Sequence, residues 1–369
     1  MPKATGKMLG QPSWKLKSDR VEAYVTHAGA QLAPVTFDLG TKKVQPFHVA
    51  PWHEEVIDSP AILQALRGDF FCVPFGHNET AYGDEQHPVH GETANETWSE
   101  VSPGTYELKT KVRSGRVRRE ITFQPGEANV YVQNTITEMS GPMCIGNHAM
   151  LAFPSSGLIS TSSFKVGQVF PGEFEVPAQG GYTSLKAGEY FQRLELVPMA
   201  NGSFADLSVY PAREGFEDLV MLVGDDSLPF AWNAVVFPEE GYLWFCLRDP
   251  RILRHTILWH SNGGRHYAPW SGRHRRVLGI EDVTSYFHYG VAESCAPNPI
   301  SDQGYPTCVE LDPSIALEAK TIMGVAAAGS SAEHVEDIQP NGQGISIHLR
   351  SGEVIPIAVN LAFLDGPKG

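Results

Sequence analysis

Val117-Arg118-Arg119-Glu120-Ile121-Thr122-Phe123 runs into the turn residues Pro125-Gly126, and Val130-Tyr131-Val132-Gln133-Asn134-Thr135-Ile136 runs into Ser140-Gly141-Pro142. Both runs are short, rich in β-branched and aromatic residues, and bounded by strand breakers. A third run, from Cys144 to Phe153, follows directly, so residues 105–153 read as a strand meander. Upstream, Val21, Ala23 and Val25 alternate with polar residues, and the pattern continues into Leu32, Val35 and Phe37. Period-two alternation marks half-buried strands. Downstream, strands are expected over 219–223, 231–237, 242–247, 256–259, 277–280, 344–349 and 354–359. Two short helices are expected among them. Ser59 as N-cap and Pro60 at the first helical position open one that carries Ile62, Leu63 and Leu66 and stops at Gly68, ahead of a strand over 70–75. Ser330 and Glu333 have capping-box spacing for a second over 330–338. Residues 165–202, rich in Gly and Pro, read as long loops. Many short strands, few helices and turn signals about every ten residues predict an all-β sandwich or barrel. Residues 1–18 read as a polar arm and 19–369 as a single domain.

Composition narrows the function. An apolar content of 42% in 369 residues supports a sizeable core. Lys+Arg 28 against Asp+Glu 42 gives a net charge of −14, which argues against nucleic acid and anionic membrane as partners, because phosphate binding needs a basic footprint. Cys72, Cys144, Cys246, Cys295 and Cys308 are scattered and form no C-x-x-C. Reduced cysteines and a cytoplasmic location are expected. The first eighteen residues lack the apolar core of a signal peptide, and no stretch approaches the ~18 apolar residues of a membrane span.

Chemistry-bearing residues cluster in three places. Arg67 precedes Gly68-Asp69-Phe70-Phe71-Cys72-Val73-Pro74-Phe75-Gly76, and the loop beyond ends in His87-Pro88-Val89-His90-Gly91. Arg67 is expected at the mouth of a cleft. Within Ile145-Gly146-Asn147-His148-Ala149-Met150, alternation gives His148 the face of Gly146 and Met150; it reads either as a core histidine or as a residue with room for a ligand above it. In Val277-Leu278-Gly279-Ile280-Glu281-Asp282, alternation places Glu281 with Val277 and Gly279, and Asp282 on the other face. Glu281 reads either as a solvated strand-end carboxylate or as a general base whose pKa partial burial raises.

Two further patterns point elsewhere. His87-x-x-His90-x-Glu92 has metal-ligand residue types, but Pro88 and Gly91 make it a turn without further ligands in sight, and no metal or cofactor is expected. The only basic, aromatic patch runs from Arg265-His266-Tyr267 through Trp270 to Arg273-His274-Arg275-Arg276. Arg265 or Arg273 could hold a phosphate or carboxylate there, and Trp259 and Trp270 could stack on a pyranose ring.

Together these pieces resemble the aldose 1-epimerase (galactose mutarotase-like) superfamily over about Asp19 to Leu364. Arg67 with Phe75-Gly76, then His90-Gly91, Asn147-His148 and Gly279-Ile280-Glu281 follow the family's order, and Asp218 matches its binding aspartate. His90-Gly91-Glu92-Thr93-Ala94-Asn95 departs from the family's His-Gly-Phe-Ala-Arg, and Asp282 stands where relatives often have proline. The resemblance implies a large antiparallel β-sandwich with a few short helices and an open carbohydrate cleft. It implies interconversion of sugar anomers, with Glu281 as base, His148 as acid, Arg67, His90 and Asp218 on substrate hydroxyls, and the anomeric carbon between Glu281 and His148. A silent sugar-binding module, a mutarotase for phosphorylated or acidic sugars, and a metal-dependent sugar isomerase or lyase are the alternatives.

Overall fold

A computed structural model describes residues 6–365. Two large sheets, of twelve and nine strands, pack face to face, and the named strand pairs are antiparallel. The helices among the described residues are short, the longest having five residues, and none is long and apolar enough to cross a membrane. Of the expected meander over 105–153, Thr105–Thr110, Gly115–Thr122 and Asn129–Thr137 are neighbours in the nine-stranded sheet, but the third run, as Ile145–Ala152, crosses to the twelve-stranded sheet. Along Gly115–Thr122, Val117, Arg119 and Ile121 are buried and Arg118 and Thr122 are exposed, so strict alternation sends an arginine into the space between the sheets.

That space holds two ion pairs. Arg119 donates to the Asp69 carboxylate of the opposite sheet and to Asn134. Asn134 donates to Asn147, and Asn147 to Asp69. Arg248 pairs with Asp282 at 2.8 Å, and Asn233 and Thr256 also donate to that carboxylate. Each pair joins one sheet to the other. An unpaired buried charge costs several kcal/mol, so these partners are needed once the charges are inside.

Several local expectations are corrected. Within the supposed polar arm, Gly6–Met8 and Gln11–Lys17 are strands at the edge of the twelve-stranded sheet; Trp14 is buried beside Ser13, and the exposed Lys15 and Lys17 that follow disguise the pattern. The first five residues lie outside the described residues. Residues 330–338 form no helix. Val335–Asn341 is a strand paired with Gly344–Leu349, because Val335 and Ile338 bury against a second core formed with Trp232, Phe245 and Ile345, and that tertiary packing overrides a capping pattern. The Gly- and Pro-rich stretch contains the strands Phe164–Val169, Tyr190–Phe191 and Val197–Pro198. The first helix spans Ala61–Ala65 with Pro60 at its cap position, and Ser59 makes no capping bond. The strand after Arg67 is Asp69–Cys72, ending just before Val73-Pro74.

Candidate functional site

Five neighbouring strands of the twelve-stranded sheet form the floor of a cavity of about 690 Å³. They are Asp69–Cys72, Ile145–Ala152, Val277–Thr284, His255–Ser261 and Glu217–Gly224. They contribute Phe70, His148, Glu281, Trp259 and Leu219 to its lining. Loops supply the walls, among them His77, His90, Phe174, Glu175, Arg265, Trp270 and His288. The volume falls in the ~300–1,000 Å³ range of small-molecule sites.

His148 and Glu281 are direct cross-strand partners. His148 Nε2 lies 3.3 Å from Glu281 Oε1, and both side chains are almost fully buried. Period two aims both at the cavity. Gly279 makes the space: a Cβ there would come within 2.7 Å of Glu281 Oε1 and 3.1 Å of Trp259 Cβ. Phe70 stacks on the His148 ring at 4.6 Å, and His90 meets it edge-on at 5.1 Å. Burial pushes the Glu281 carboxyl up to about 8, against the pull of the Arg265 charge. Burial lowers His148 to about 3. At neutral pH the pair therefore holds one exchangeable proton between a carboxyl and a neutral imidazole.

His90 is held with φ 57°, and its Nδ1 accepts the Gly76 N–H at 3.3 Å. The next residue must be glycine, since a Cβ on Gly91 would lie 1.9 Å from the Val73 carbonyl oxygen. Burial lowers the His90 pKa well below its usual value, with a smaller push from His148. With Nδ1 accepting, Nε2 carries the proton of the neutral ring.

Arg67 does not reach the cavity. Its guanidinium is buried and donates to the backbone carbonyls of Ala65, Met8 and Leu9 at 2.7, 3.0 and 2.8 Å, tying the edge strands to the helix end. Asp218 does not reach it either. It accepts the N–H groups of Ser184 and Leu185, the Ser184 hydroxyl and Arg213 Nε. Period two again gives the reason: Leu219 lines the cavity, so Asp218 points the other way. Its neighbour Glu217 does the supporting work on the cavity side, accepting Trp259 Nε1–H at 3.0 Å, Ser261 Oγ–H and Gly264 N–H. Burial raises Glu217 to about 7.

Trp259 and Trp270 line the cavity, but their rings are already engaged. Trp259 stacks on His274 at 5.2 Å. The Arg265 guanidinium carbon lies 5.1 Å from the Trp259 centroid, 4.6 Å from Trp270 and 5.4 Å from Phe174. The indoles thus cradle a cation where a stacked pyranose was expected. Arg273 sits outside, bonded to Glu55 and the Pro269 carbonyl. Nor do the members of the His87-x-x-His90-x-Glu92 turn converge. His87 pairs with Glu85 at 2.8 Å, the Glu92 carboxylate accepts the N–H groups of Lys111 and Val112, and His90 faces the cavity. Among the described residues no three His, Cys, Asp or Glu side chains are grouped to hold a metal.

Sequence reading passed over Glu175, His77 and His288. Glu175 lay in the stretch read as loop. His77 and His288 come from turns far apart in sequence, and their rings meet at 4.6 Å; no periodicity announces either.

Comparison with known proteins agrees with this architecture. No family model matches the sequence, and no curated protein matches it. Solved structures do. A candidate aldose 1-epimerase of Escherichia coli superposes with a TM-score of 0.56 at 14% identity, covering 85% of this chain and 99% of the other. One from Klebsiella pneumoniae gives a TM-score of 0.56 at 15% identity, covering 89% and 83%. A galactose mutarotase related enzyme of Lactobacillus acidophilus gives 0.53 at 13% identity, covering 86% and 98%. The chain has the fold of the galactose mutarotase-like proteins, as its sequence resemblance implied.

Proposed function

We propose that this protein binds an aldose in its pyranose form and interconverts the two anomers by proton transfer. The observation that carries the reading is the His148–Glu281 pair, 3.3 Å apart at the floor of a small-molecule cavity. The anomeric hydroxyl and the ring oxygen are bonded to the same carbon, so the acid and base that serve them must be close neighbours. This favours an anomeric carbon seated above the pair; at 3.3 Å there is no room for it between the two residues.

In the reactive form the shared proton resides on His148 Nε2 and Glu281 is a carboxylate. Glu281 takes the proton of the anomeric hydroxyl, whose electrons form the carbonyl. The bond from the anomeric carbon to the ring oxygen breaks, and that oxygen takes the Nε2 proton. Rotation about the bond from the anomeric carbon to its neighbour presents the other face of the carbonyl. Reclosure returns both protons. His90 Nε2–H is available to a substrate hydroxyl. Protons alone move, so no cofactor is required.

The test is the rate at which freshly dissolved α-anomers of common aldoses relax, followed by polarimetry or NMR with and without protein. Acceleration that survives chelation and disappears in Glu281→Gln supports the reading. Saturable sugar binding without acceleration replaces it with a silent binding module.

A further inference from the structure

We propose that Arg265 is the cavity's substrate-binding cation, and that the two terminal NH2 groups of its guanidinium, left unpaired by the protein, donate to oxygens of an uncharged sugar. The inference rests on the reading of the cavity as a sugar site and adds to it both a residue and a substrate class.

The side chain is only 11% exposed. A charge so enclosed needs compensation. Part of it is visible: Arg265 Nε donates to Glu175 Oε1, and three aromatic rings surround the guanidinium carbon. Glu175 is held in turn by the Tyr267 hydroxyl at 3.1 Å. A guanidinium has five N–H donors, and this bond uses one. The terminal nitrogens bond to no described residue, yet they are absent from the sealed polar atoms that lack a partner. They therefore look onto the open space of the cavity. An oxygen ligand entering there meets a preoriented fork whose position costs nothing further to organise.

The surroundings decide which oxygen ligand. Arg265 is the only Lys or Arg lining the cavity among the described residues, while Glu79, Glu173, Glu175, Glu281 and Glu293 also line it. A phosphate or carboxylate would meet one cation, already paired, and a ring of carboxyl groups. Hydroxyl, ring and carbonyl oxygens carry no such penalty. As the ring opens, charge builds on oxygen, and a fixed guanidinium in a water-poor site stabilises it. Burial acts against the Arg265 charge, but Glu175 and Glu217 outweigh it and raise its pKa, so it stays a cation throughout.

Arg265→Met and Arg265→Lys test the inference, each checked by thermal melting. Sugar affinity is read by calorimetry, mutarotation by NMR, and the Glu281 carboxyl by infrared titration of sugar-free protein, with Glu281→Gln as the blank. Arg265→Met should lower kcat/KM for neutral aldoses about 10²–10³-fold, weaken sugar binding, and move the Glu281 titration to higher pH. Arg265→Lys should restore the titration but not the rate, because charge returns without the fork. If Arg265→Met does not fold, the same split between titration and rate in Arg265→Lys decides. Wild-type protein should prefer glucose to glucose 6-phosphate. Unchanged binding and rate in a folded Arg265 variant, or a preference for the phosphate, overturns the inference while leaving mutarotation standing. Binding without turnover that is lost in Arg265→Met overturns mutarotation and keeps the inference. Absence of any sugar binding overturns both.

Discussion

Glu281 and Asp282 share a peptide bond and face opposite sides of their strand: one carboxyl lies 3.3 Å from His148 in the cavity, the other 2.8 Å from Arg248 between the sheets. Substituting each with its amide separates chemistry from stability. Glu281→Gln should slow mutarotation by about 10²–10⁴-fold with the fold intact, the usual range for a lost general base. Asp282→Asn leaves the Arg248 charge buried without its partner and should destabilise by about 3–5 kcal/mol, with little change in rate for the molecules that remain folded. Chemical denaturation beside polarimetry checks both. A dead but stable Asp282→Asn would put the base on the wrong residue.

Gly279→Ala should be mainly a rate variant. Its Cβ would sit 2.7 Å from Glu281 Oε1 and 3.1 Å from Trp259 Cβ, and the carboxyl is the more movable of the two. Displacement of a reacting group by about 1 Å can cost 10²-fold, while overpacking typically costs about 1–3 kcal/mol. An unchanged kcat would mean that Glu281 need not hold this position.

The raised pKa of Glu281 has two signatures. The reactive form keeps the pair's proton on His148 Nε2 while Glu281 is ionised, so kcat/KM should be level at neutral pH and fall as pH rises past about 8, where the pair loses that proton. Stability should move the same way. Between the unfolded value of about 4.3 and the folded value near 8, the folded chain keeps a proton that the unfolded chain has released. This contribution is therefore fully present below the unfolded value and is lost as pH rises through the folded one, with a slope of at most about 1.4 kcal/mol per pH unit. Glu281→Gln should flatten that segment of the curve. Identical pH profiles for variant and wild type would rule out a buried, protonated Glu281.

Arg67→Ala should lower the melting temperature and leave sugar affinity of the folded protein unchanged. The guanidinium donates to three backbone carbonyls, and hydrogen bonds from charged groups contribute about 1.5–3 kcal/mol each before non-additivity is counted. A stable variant with lost affinity would return Arg67 to the cleft.

The contrast between Arg67 and Glu281 shows what a sequence encodes legibly. A strand repeats every second residue, so the direction of Glu281 and the opposite direction of Asp282 follow from counting. Asp218 shows how narrow that margin is, for its neighbour Glu217 is the residue that supports the cavity. Arg67 lies between a helix end and a strand, where no period specifies direction, and backbone carbonyls captured its head group. Arg265 and Glu175 meet across ninety residues of sequence, a pairing that only tertiary structure creates. At 330–338 the local capping signal lost to cross-strand burial of Val335 and Ile338, a competition that local pattern does not describe.

The interior polar layer has one more effect. Asp69 and Asp282 are the acids of its two ion pairs, Asn147 donates to Asp69, and their chain neighbours Phe70, His148 and Glu281 line the cavity. The floor of the site is thus fastened from behind, one residue away at each point, by groups that come apart only when the two sheets separate. Local fluctuations normally expose backbone amides at energies well below global unfolding, but these strands lack that cheap route. In deuterated solvent the amides of Asn147, His148, Glu281 and Asp282 should therefore be among the last to exchange, and on heating this floor should keep its geometry until the sandwich itself melts.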